Sequence, residues 1–192
     1  MAITEKPNFF VLSGGPGAGK TTLLRRLESM GELVVEESAR AVIREAPAAR
    51  GGEAFFRRIA QRDIADFDRL AAETRRVFFD RGLMDCYGAD GVPPWPELEA
   101  AIRTRRYGET VFVFPPWREI YSTDAERIQD FAHAERVFGI VMGLLPRLGY
   151  RPLVVPIGTV EERARFVLSR AQVSTKARSS TKSPGSAIEP ST

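Results

Sequence analysis

The chain alternates between short, nearly unbroken apolar runs and longer segments in which apolar residues recur at helical spacing. The first pattern is typical of parallel strands covered on both faces, and the second is typical of amphipathic helices. The apolar runs predict strands at residues 9–13, 32–37, 76–80, 110–114 and 152–156.

The segments between these runs predict helices at residues 20–30, 38–45, 53–74 and 160–168. A further helix is expected to open at a capping box formed by residues 123–126 and to bend or end at Pro146. Strands that alternate with helices predict a three-layer α/β domain built on a parallel sheet, spanning residues 1–170.

Two segments do not fit this alternation. Residues 88–99 are rich in glycine and proline and predict a substantial loop. Residues 171–192 consist mainly of serine, threonine, lysine, proline and alanine without periodicity, which predicts a disordered tail.

The composition and charge of the chain limit the kinds of function that it can have. The net charge is +3 over 192 residues, and the basic residues do not cluster strongly, which argues against a large nucleic-acid binding face. Cys86 is the single cysteine and excludes an internal disulfide, as is usual in a reducing compartment. No apolar run approaches the ~20 residues of a membrane span, so a cytoplasmic protein is expected.

A complete phosphate-binding loop follows the first predicted strand and opens the first predicted helix. Its Lys20 is expected to contact the β- and γ-phosphates of ATP, the Thr21 hydroxyl to ligate Mg²⁺, and Thr22 to contact the α-phosphate. The alternatives are a glycine-rich turn that binds nothing and a dinucleotide-binding loop. Either one would require the Lys-Thr pair and the strand–loop–helix context to have arisen by chance. The predicted nucleotide-binding residues are Gly14, Gly15, Pro16, Gly17, Ala18, Gly19, Lys20, Thr21 and Thr22.

Carboxylates follow two other predicted strands. Asp80 ends an apolar run and is a candidate Mg²⁺ ligand, although a turn aspartate would also suit the glycine that follows. Glu36 and Glu37 end another run, and either could accept a proton from a hydroxyl acceptor. The pair could instead favour the N-terminus of the next helix.

The segment after the fourth strand carries arginines that could stabilise a transferred phosphoryl group. Arg118 and Arg127 are the candidates, on a segment that could close over a bound triphosphate. The alternative is a solvated surface in which Arg127 pairs with Asp124 or Asp130.

Several motifs together resemble a known family. "GGPGAGKTTLL", "VVEESAR", "FFDRG", "FPPWREIYSTDAERIQD" and "LGYRPLVVPIGTVEERARFVL" are similar to the AAA-type ATPase domains among P-loop NTPases, which are related to nicotinamide-riboside kinase domains. The motifs also resemble, more distantly, those of thymidylate and deoxynucleoside kinases. The resemblance covers residues 9–168 and implies a five-stranded sheet of order 2-3-1-4-5 with helices on both faces. It also implies that Asp80 neighbours the loop, and that the glutamate pair lies one strand further toward an acceptor.

The resemblance does not specify a substrate. The "EES" sequence lacks the proline usual near the base of deoxynucleoside kinases, and "DRG" departs from their arginine–serine pattern. Two functions therefore stay open: an ATP- and Mg²⁺-dependent phosphotransferase acting on a nucleoside-like or cofactor-precursor hydroxyl compound, or a nucleotide-switched module that binds a protein or a lipid head group. Asn8 is the single asparagine, so the N-K-x-D motif of Ras-like GTPases is absent.

Overall fold

The computed structural model of the chain describes residues 2–46, 51–121 and 130–173. In chain order the elements within these ranges are β1 (Thr4–Glu5), β2 (Phe9–Gly14), α1 (Lys20–Ser29), β3 (Leu33–Val35), α2 (Ser38–Glu45), α3 (Gly52–Arg69), β4 (Val77–Asp80), α4 (Pro96–Thr104), β5 (Arg105–Arg106), β6 (Thr110–Phe114), α5 (Phe131–Arg147), β7 (Arg151–Val154) and α6 (Val160–Arg170). Short 3-10 turns cover Leu83–Cys86, Ala89–Gly91 and Arg118–Ile120.

Five parallel strands form the central sheet in the order β3-β4-β2-β6-β7. Numbered by their own succession along the chain, these strands run 2-3-1-4-5, which confirms the expected fold. The short strands β1 and β5 pair with each other in a separate two-stranded sheet that the sequence analysis did not predict.

The side chains of the central strands alternate between two apolar layers. On β2, Phe9 and Val11 pack into the layer beneath α2, α3, α4 and α5, whereas Phe10 and Leu12 pack into the layer beneath α1 and α6. All four side chains are fully or almost fully buried. Because both faces are covered, the strand sequence is continuously apolar, as the parallel-sheet prediction required.

The prediction of a loop at residues 88–99 is partly wrong, because residues 96–99 open helix α4. Pro96 occupies the first turn, where its missing N–H leaves no helical hydrogen bond unmade, and Glu97 and Glu99 favour the positive end of the helix dipole. Leu98 and Ile102 then bury one face of the helix. The prolines mark a helix start here, not only an irregular segment.

Two other predictions fall on undescribed parts of the chain. The capping box at residues 123–126 and the tail from residue 174 lie outside the described residues. Helix α5 begins at Phe131, and the Asp130 side chain caps it by accepting a hydrogen bond from the His133 amide at 2.7 Å.

Among the described helices, none combines the length and apolarity that crossing a membrane would require.

The parallel arrangement brings the carboxyl ends of all five central strands to one edge of the sheet. Gly14, at the end of β2, lies between the ends of β4 and β6, because Leu12 is in register with Asp80 and Gly14 with Phe114. Val35, at the end of β3, is in register with Phe79. The phosphate-binding loop and both acidic segments therefore converge at this edge.

Candidate active site

The loop after β2 needs glycine for steric reasons at its first two positions. Gly14 has a φ of 121°, and a Cβ atom there would lie 2.5 Å from the carbonyl oxygen of Phe114 on β6. A Cβ atom at Gly15 would lie 2.7 Å from the carbonyl oxygen of Ala134 on α5. The loop is therefore seated directly against the backbone of two neighbouring elements.

Two later glycines lie beneath side chains from distant segments. A Cβ atom at Gly17 would lie 2.4 Å from the ring of Tyr121, which packs edge-on against Phe131. A Cβ atom at Gly19 would lie 2.7 Å from the Arg163 guanidinium. Both glycines have a positive φ, 75° and 80°, which glycine adopts without strain.

Lys20 is buried at the base of the loop. Its ammonium group donates hydrogen bonds to the carbonyl oxygens of Gly14 at 3.1 Å and Gly15 at 2.7 Å. Burial is the largest cause that lowers the pKa of Lys20, to about 8, and the positive charge of Arg81 acts in the same direction. The group is thus a poorly solvated cation that gains from an added negative charge, such as a phosphate.

Thr21 and Asp80 form a second polar contact beside the loop. The Thr21 hydroxyl donates to one carboxylate oxygen of Asp80 at 2.9 Å, while the other oxygen is buried and accepts no hydrogen bond from a described residue. Burial raises the pKa of Asp80, against the opposing effect of the Lys20 charge. An unsatisfied buried carboxylate oxygen next to a hydroxyl fits a hard cation with oxygen ligands, as expected for Mg²⁺.

A protein-only metal cage is absent from the described part of the chain, since no group of three His, Cys, Asp or Glu side chains is placed to hold an ion. Mg²⁺ at phosphate-binding loops is commonly held by one or two protein ligands together with the phosphates. Thr21 and Asp80 match that mode of binding.

The two adjacent glutamates have different surroundings. Glu36 is exposed, whereas Glu37 lines the same cavity as the loop and occupies the N-cap position of α2 without a side-chain capping bond. Glu37 accepts hydrogen bonds from Arg81 at 2.7 Å and from Arg40 at 3.3 Å. Although burial alone would raise it, the pKa of Glu37 is lowered to about 2 by the charges of Arg81 and Lys20 and by these contacts.

Arg81 connects the acidic groups. Its guanidinium also donates to Asp85 at 3.3 Å, and Asp85 accepts further hydrogen bonds from the Ser13 hydroxyl at 2.6 Å and the Gly82 amide at 3.0 Å. Arg81 has a φ of 74°, a left-handed conformation that costs about 1 kcal/mol or more in a non-glycine residue. Its ion pairs with Glu37 and Asp85 hold it there.

Of the two predicted arginines, Arg118 and Arg127, only Arg118 lies within the described residues. Arg118 lies on the exposed 3-10 turn, with its guanidinium 4.0 Å from the centre of the Phe131 ring, and is not part of the cleft wall. Arg127 lies outside the described residues.

Arg163 on α6 is an arginine that the sequence analysis did not single out. It is buried, donates to the carbonyl oxygen of Ala18 at 2.7 Å, and stacks 4.6 Å from the ring centre of Phe114. Burial lowers the pKa of Arg163, and its Nε has no partner among the described residues. A buried guanidinium without a carboxylate, beside the loop, suits a negatively charged ligand.

Asp63 on α3 is the second residue that the sequence analysis missed. One of its carboxylate oxygens accepts a hydrogen bond from the Ser38 hydroxyl at 2.6 Å. Burial is the main cause that raises the pKa of Asp63, to about 7, and nearby carboxylates add to the effect. In sequence it occupies the apolar stripe of α3, between Ile59 and Phe67, and this is the signal that could have revealed it.

One continuous cleft of about 800 Å³ joins these groups. At one end it is lined by the loop, Trp117 and Arg163; at the other it is lined by α2, α3, the turns at residues 84–91, and α5. Glu37 and Arg81 lie between the two ends. The loop end is called the donor half below, and the end beyond Glu37 the acceptor half.

Comparison with known proteins identifies the type of domain. A family model described as an AAA domain matches residues 9–163. No curated protein matches the chain by sequence.

Solved structures with a similar fold are P-loop proteins of low sequence identity. Shikimate kinase from Acinetobacter baumannii, in complex with shikimate, is 18% identical with a TM-score of 0.55, and the match covers 87% of this chain and 93% of that one. NadR in complex with NR is 19% identical with a TM-score of 0.70, covering 91% of this chain but only 54% of NadR. Thymidylate kinase from Ehrlichia chaffeensis is 14% identical with a TM-score of 0.57, covering 86% and 98%. These likenesses show a kinase-like P-loop fold.

Proposed function

The chain belongs to the AAA domain family, and we propose that it transfers the γ-phosphoryl group of ATP to a hydroxyl of a small molecule in a Mg²⁺-dependent reaction. The observation that supports this proposal is the cleft, which continues past the phosphate-binding loop into a walled acceptor half. A nucleotide hydrolase needs room for water at that position, whereas a phosphotransferase needs room for a second substrate.

In the donor half, the chain's own groups bind and orient the triphosphate. The loop amides and the Lys20 ammonium surround the β- and γ-phosphates, and Thr22, at the exposed start of α1, is placed to contact the α-phosphate. Arg163 adds a buried positive charge beside Ala18. Thr21 and Asp80 would hold Mg²⁺, which when bound neutralises charge on the phosphates.

In the transfer step, the acceptor hydroxyl oxygen forms a bond to the γ-phosphorus as the bond from that phosphorus to the bridging oxygen breaks, and ADP leaves. The hydroxyl proton passes to Glu37, which is ionised at neutral pH because Arg81 and Lys20 lower its pKa. A carboxylate with so low a pKa is a weak base in the free protein. Its contribution is to orient the hydroxyl and to take the proton late, when the attacking oxygen has become acidic.

Arg118 and Arg127 remain proposed as groups that stabilise the transferred phosphoryl. Arg118 would have to leave the Phe131 ring, over which its guanidinium lies at 4.0 Å. The fold of shikimate kinase and of NadR supports the proposal by analogy, because both are similar to this chain in fold and were solved in complex with a small ligand.

The decisive experiment measures ADP formation from ATP and Mg²⁺ across a panel of nucleosides, sugars and cofactor precursors, with Lys20→Ala as the inactive control. ADP formation that depends on one acceptor and yields its phosphorylated product is the expected result. ADP formation at one rate regardless of the acceptor would refute the proposal and favour a nucleotide-switched binding module.

A further inference from the structure

The acceptor half contains a polar pair that nucleotide binding and proton transfer do not use. Ser38, at the start of α2, donates its hydroxyl hydrogen to one oxygen of Asp63 on α3 at 2.6 Å. Both residues line the cleft. The second Asp63 oxygen accepts no hydrogen bond from a described residue, and the Ser38 oxygen keeps its lone pairs. Two neighbouring hydrogen-bond acceptors therefore face the cavity.

The strongest charge effects on Asp63 come from other carboxylates. Asp85, Asp66 and Glu37 act on Asp63, all as negative charges, and no described lysine or arginine is paired with it. An acceptor whose groups donate hydrogen bonds to Asp63 would offset the repulsion from these carboxylates. One that brings a further negative charge would add to the repulsion.

Two arginines of this half already hold ion pairs. Arg81 is directed at Glu37 and Asp85, and Arg40 at Glu37. Arg136 on α5 also lines the cleft, but it is exposed, so water screens its charge. A phosphate placed beside Glu37 would have to take Arg81 or Arg40 away from these carboxylates, which would leave a buried negative charge without its partner.

The remaining wall of the acceptor half is apolar. Phe55, Phe56 and Ile59 of α3 form one side, and Met84 and Val141 contribute from the 3-10 turn and from α5. Ile59 lies one helical turn from Asp63, so the polar pair borders the apolar surface. Such a surface suits a ligand with an apolar or planar body at one end and hydroxyl groups at the other.

We propose that Ser38 and Asp63 form a subsite that binds the hydroxyl groups of an uncharged acceptor, so that the protein phosphorylates a neutral hydroxyl compound and not one that already carries a phosphate. This inference rests on the phosphoryl transfer proposed above. The acceptor presents two neighbouring hydroxyl donors to the subsite, and another of its hydroxyls receives the phosphoryl group beside Glu37.

The test uses matched pairs of compounds that differ by one phosphate: uridine and UMP, cytidine and CMP, and myo-inositol and its 1-phosphate. Binding is measured by titration calorimetry on the full chain with the donor half saturated by Mg²⁺ and a non-hydrolysable ATP analogue. The variants are Asp63→Asn and Ser38→Ala, each checked for folding by circular dichroism. Asp68→Asn is the control, because it makes the same change on α3 at an exposed ion pair with Arg105.

At least one neutral compound should bind at least about tenfold more tightly than its phosphate, and Asp63→Asn should weaken that binding about tenfold or more, since a hydrogen bond to a charged group is lost. Ser38→Ala should weaken it less, and Asp68→Asn should have no effect. Tighter binding of the phosphorylated members, no binding by any neutral member, or equal effects of Asp63→Asn and Asp68→Asn would overturn the inference. A neutral compound that binds through Asp63 without supporting ADP formation would uphold the subsite and refute the phosphoryl transfer.

Discussion

The adjacent pair Glu36 and Glu37 offers a matched test of the site, because only Glu37 faces the cleft. Glu37 is 17% exposed and accepts hydrogen bonds from Arg81 and Arg40, whereas Glu36 is exposed and has no hydrogen bond or ion pair to the described residues. Glu36→Gln and Glu37→Gln make the same chemical change at neighbouring positions. The difference between the two variants therefore measures what the position of Glu37 in the cleft contributes.

The magnitude follows from the lowered pKa of Glu37. Its ordinary value of 4.5 falls to about 2 in the folded protein, and one pKa unit corresponds to about 1.4 kcal/mol, so the ionised group stabilises the fold by about 3 kcal/mol at neutral pH. Because the folded-state pKa is the lower one, this stability is present above the unfolded value and is lost as the pH falls through about 2. At pH ~3 less than half of it remains.

Urea unfolding followed by circular dichroism measures this difference directly. At pH 7, Glu37→Gln should lower the free energy of unfolding by about 2–3 kcal/mol, and Glu36→Gln should change it by less than about 0.5 kcal/mol. At pH 3, the deficit of Glu37→Gln should shrink by more than half. Once an acceptor is known, Glu37→Gln should also slow transfer by about 10²–10⁴-fold while leaving ATP affinity unchanged.

Equal behaviour of the two variants in stability or in transfer would show that the cleft does not set Glu37 apart from Glu36. A deficit of Glu37→Gln that stays constant between pH 7 and pH 3 would show that the ion pair with Arg81 does not cause it. Retained transfer in Glu37→Gln would remove Glu37 from the proposed role of base.

Three further predictions concern other groups of the cleft. Lys20→Ala should abolish the rise in melting temperature that ATP produces, as measured by scanning fluorimetry, and an undiminished rise would refute the loop assignment. Asp80→Asn keeps an oxygen for the Thr21 hydroxyl but loses the charge, so Mg²⁺ should no longer increase ATP affinity in calorimetry; an intact Mg²⁺ effect would exclude Asp80 as a ligand. Asp63→Asn should stabilise the protein by about 2–4 kcal/mol at pH 8, where burial penalises a carboxylate whose pKa has risen from 3.8 to about 7, and by little at pH 4. Equal urea stability gains at both pH values would contradict that cause.

The strands of the central sheet were predictable because each is covered on both faces. Continuous apolar runs such as residues 9–13 and 110–114 are too short for a buried helix and are rich in Phe and Val, which favours strands. The strand order came from the resemblance to a family, since apolar patterning is silent about which strands are neighbours. The two-residue strands β1 and β5 are too short to leave a pattern, and helix α4 was missed because its opening prolines are equally common in loops.

Within the site, sequence motifs indicated the donor half better than the acceptor half. The loop is recognisable because its glycines and Lys20 stand in a fixed spacing. Asp63 and Arg163 were missed because each belongs to a helix whose other positions on that face are apolar, and their partners, Ser38 and Ala18, lie far away in sequence. A polar residue on the buried stripe of a helix is a usable signal, but only the fold shows what it faces.

The two halves of the cleft differ in the kind of atoms that build them. On the donor side, Lys20 and Arg163 are held by the main-chain carbonyls of Gly14, Gly15 and Ala18, which no substitution removes. On the acceptor side, the wall consists of side chains from separate elements, each open to replacement. Natural variation can therefore change what the domain accepts while its use of a triphosphate persists. Relatives that share this loop are then expected to differ in their acceptors, and re-engineering should begin at α3.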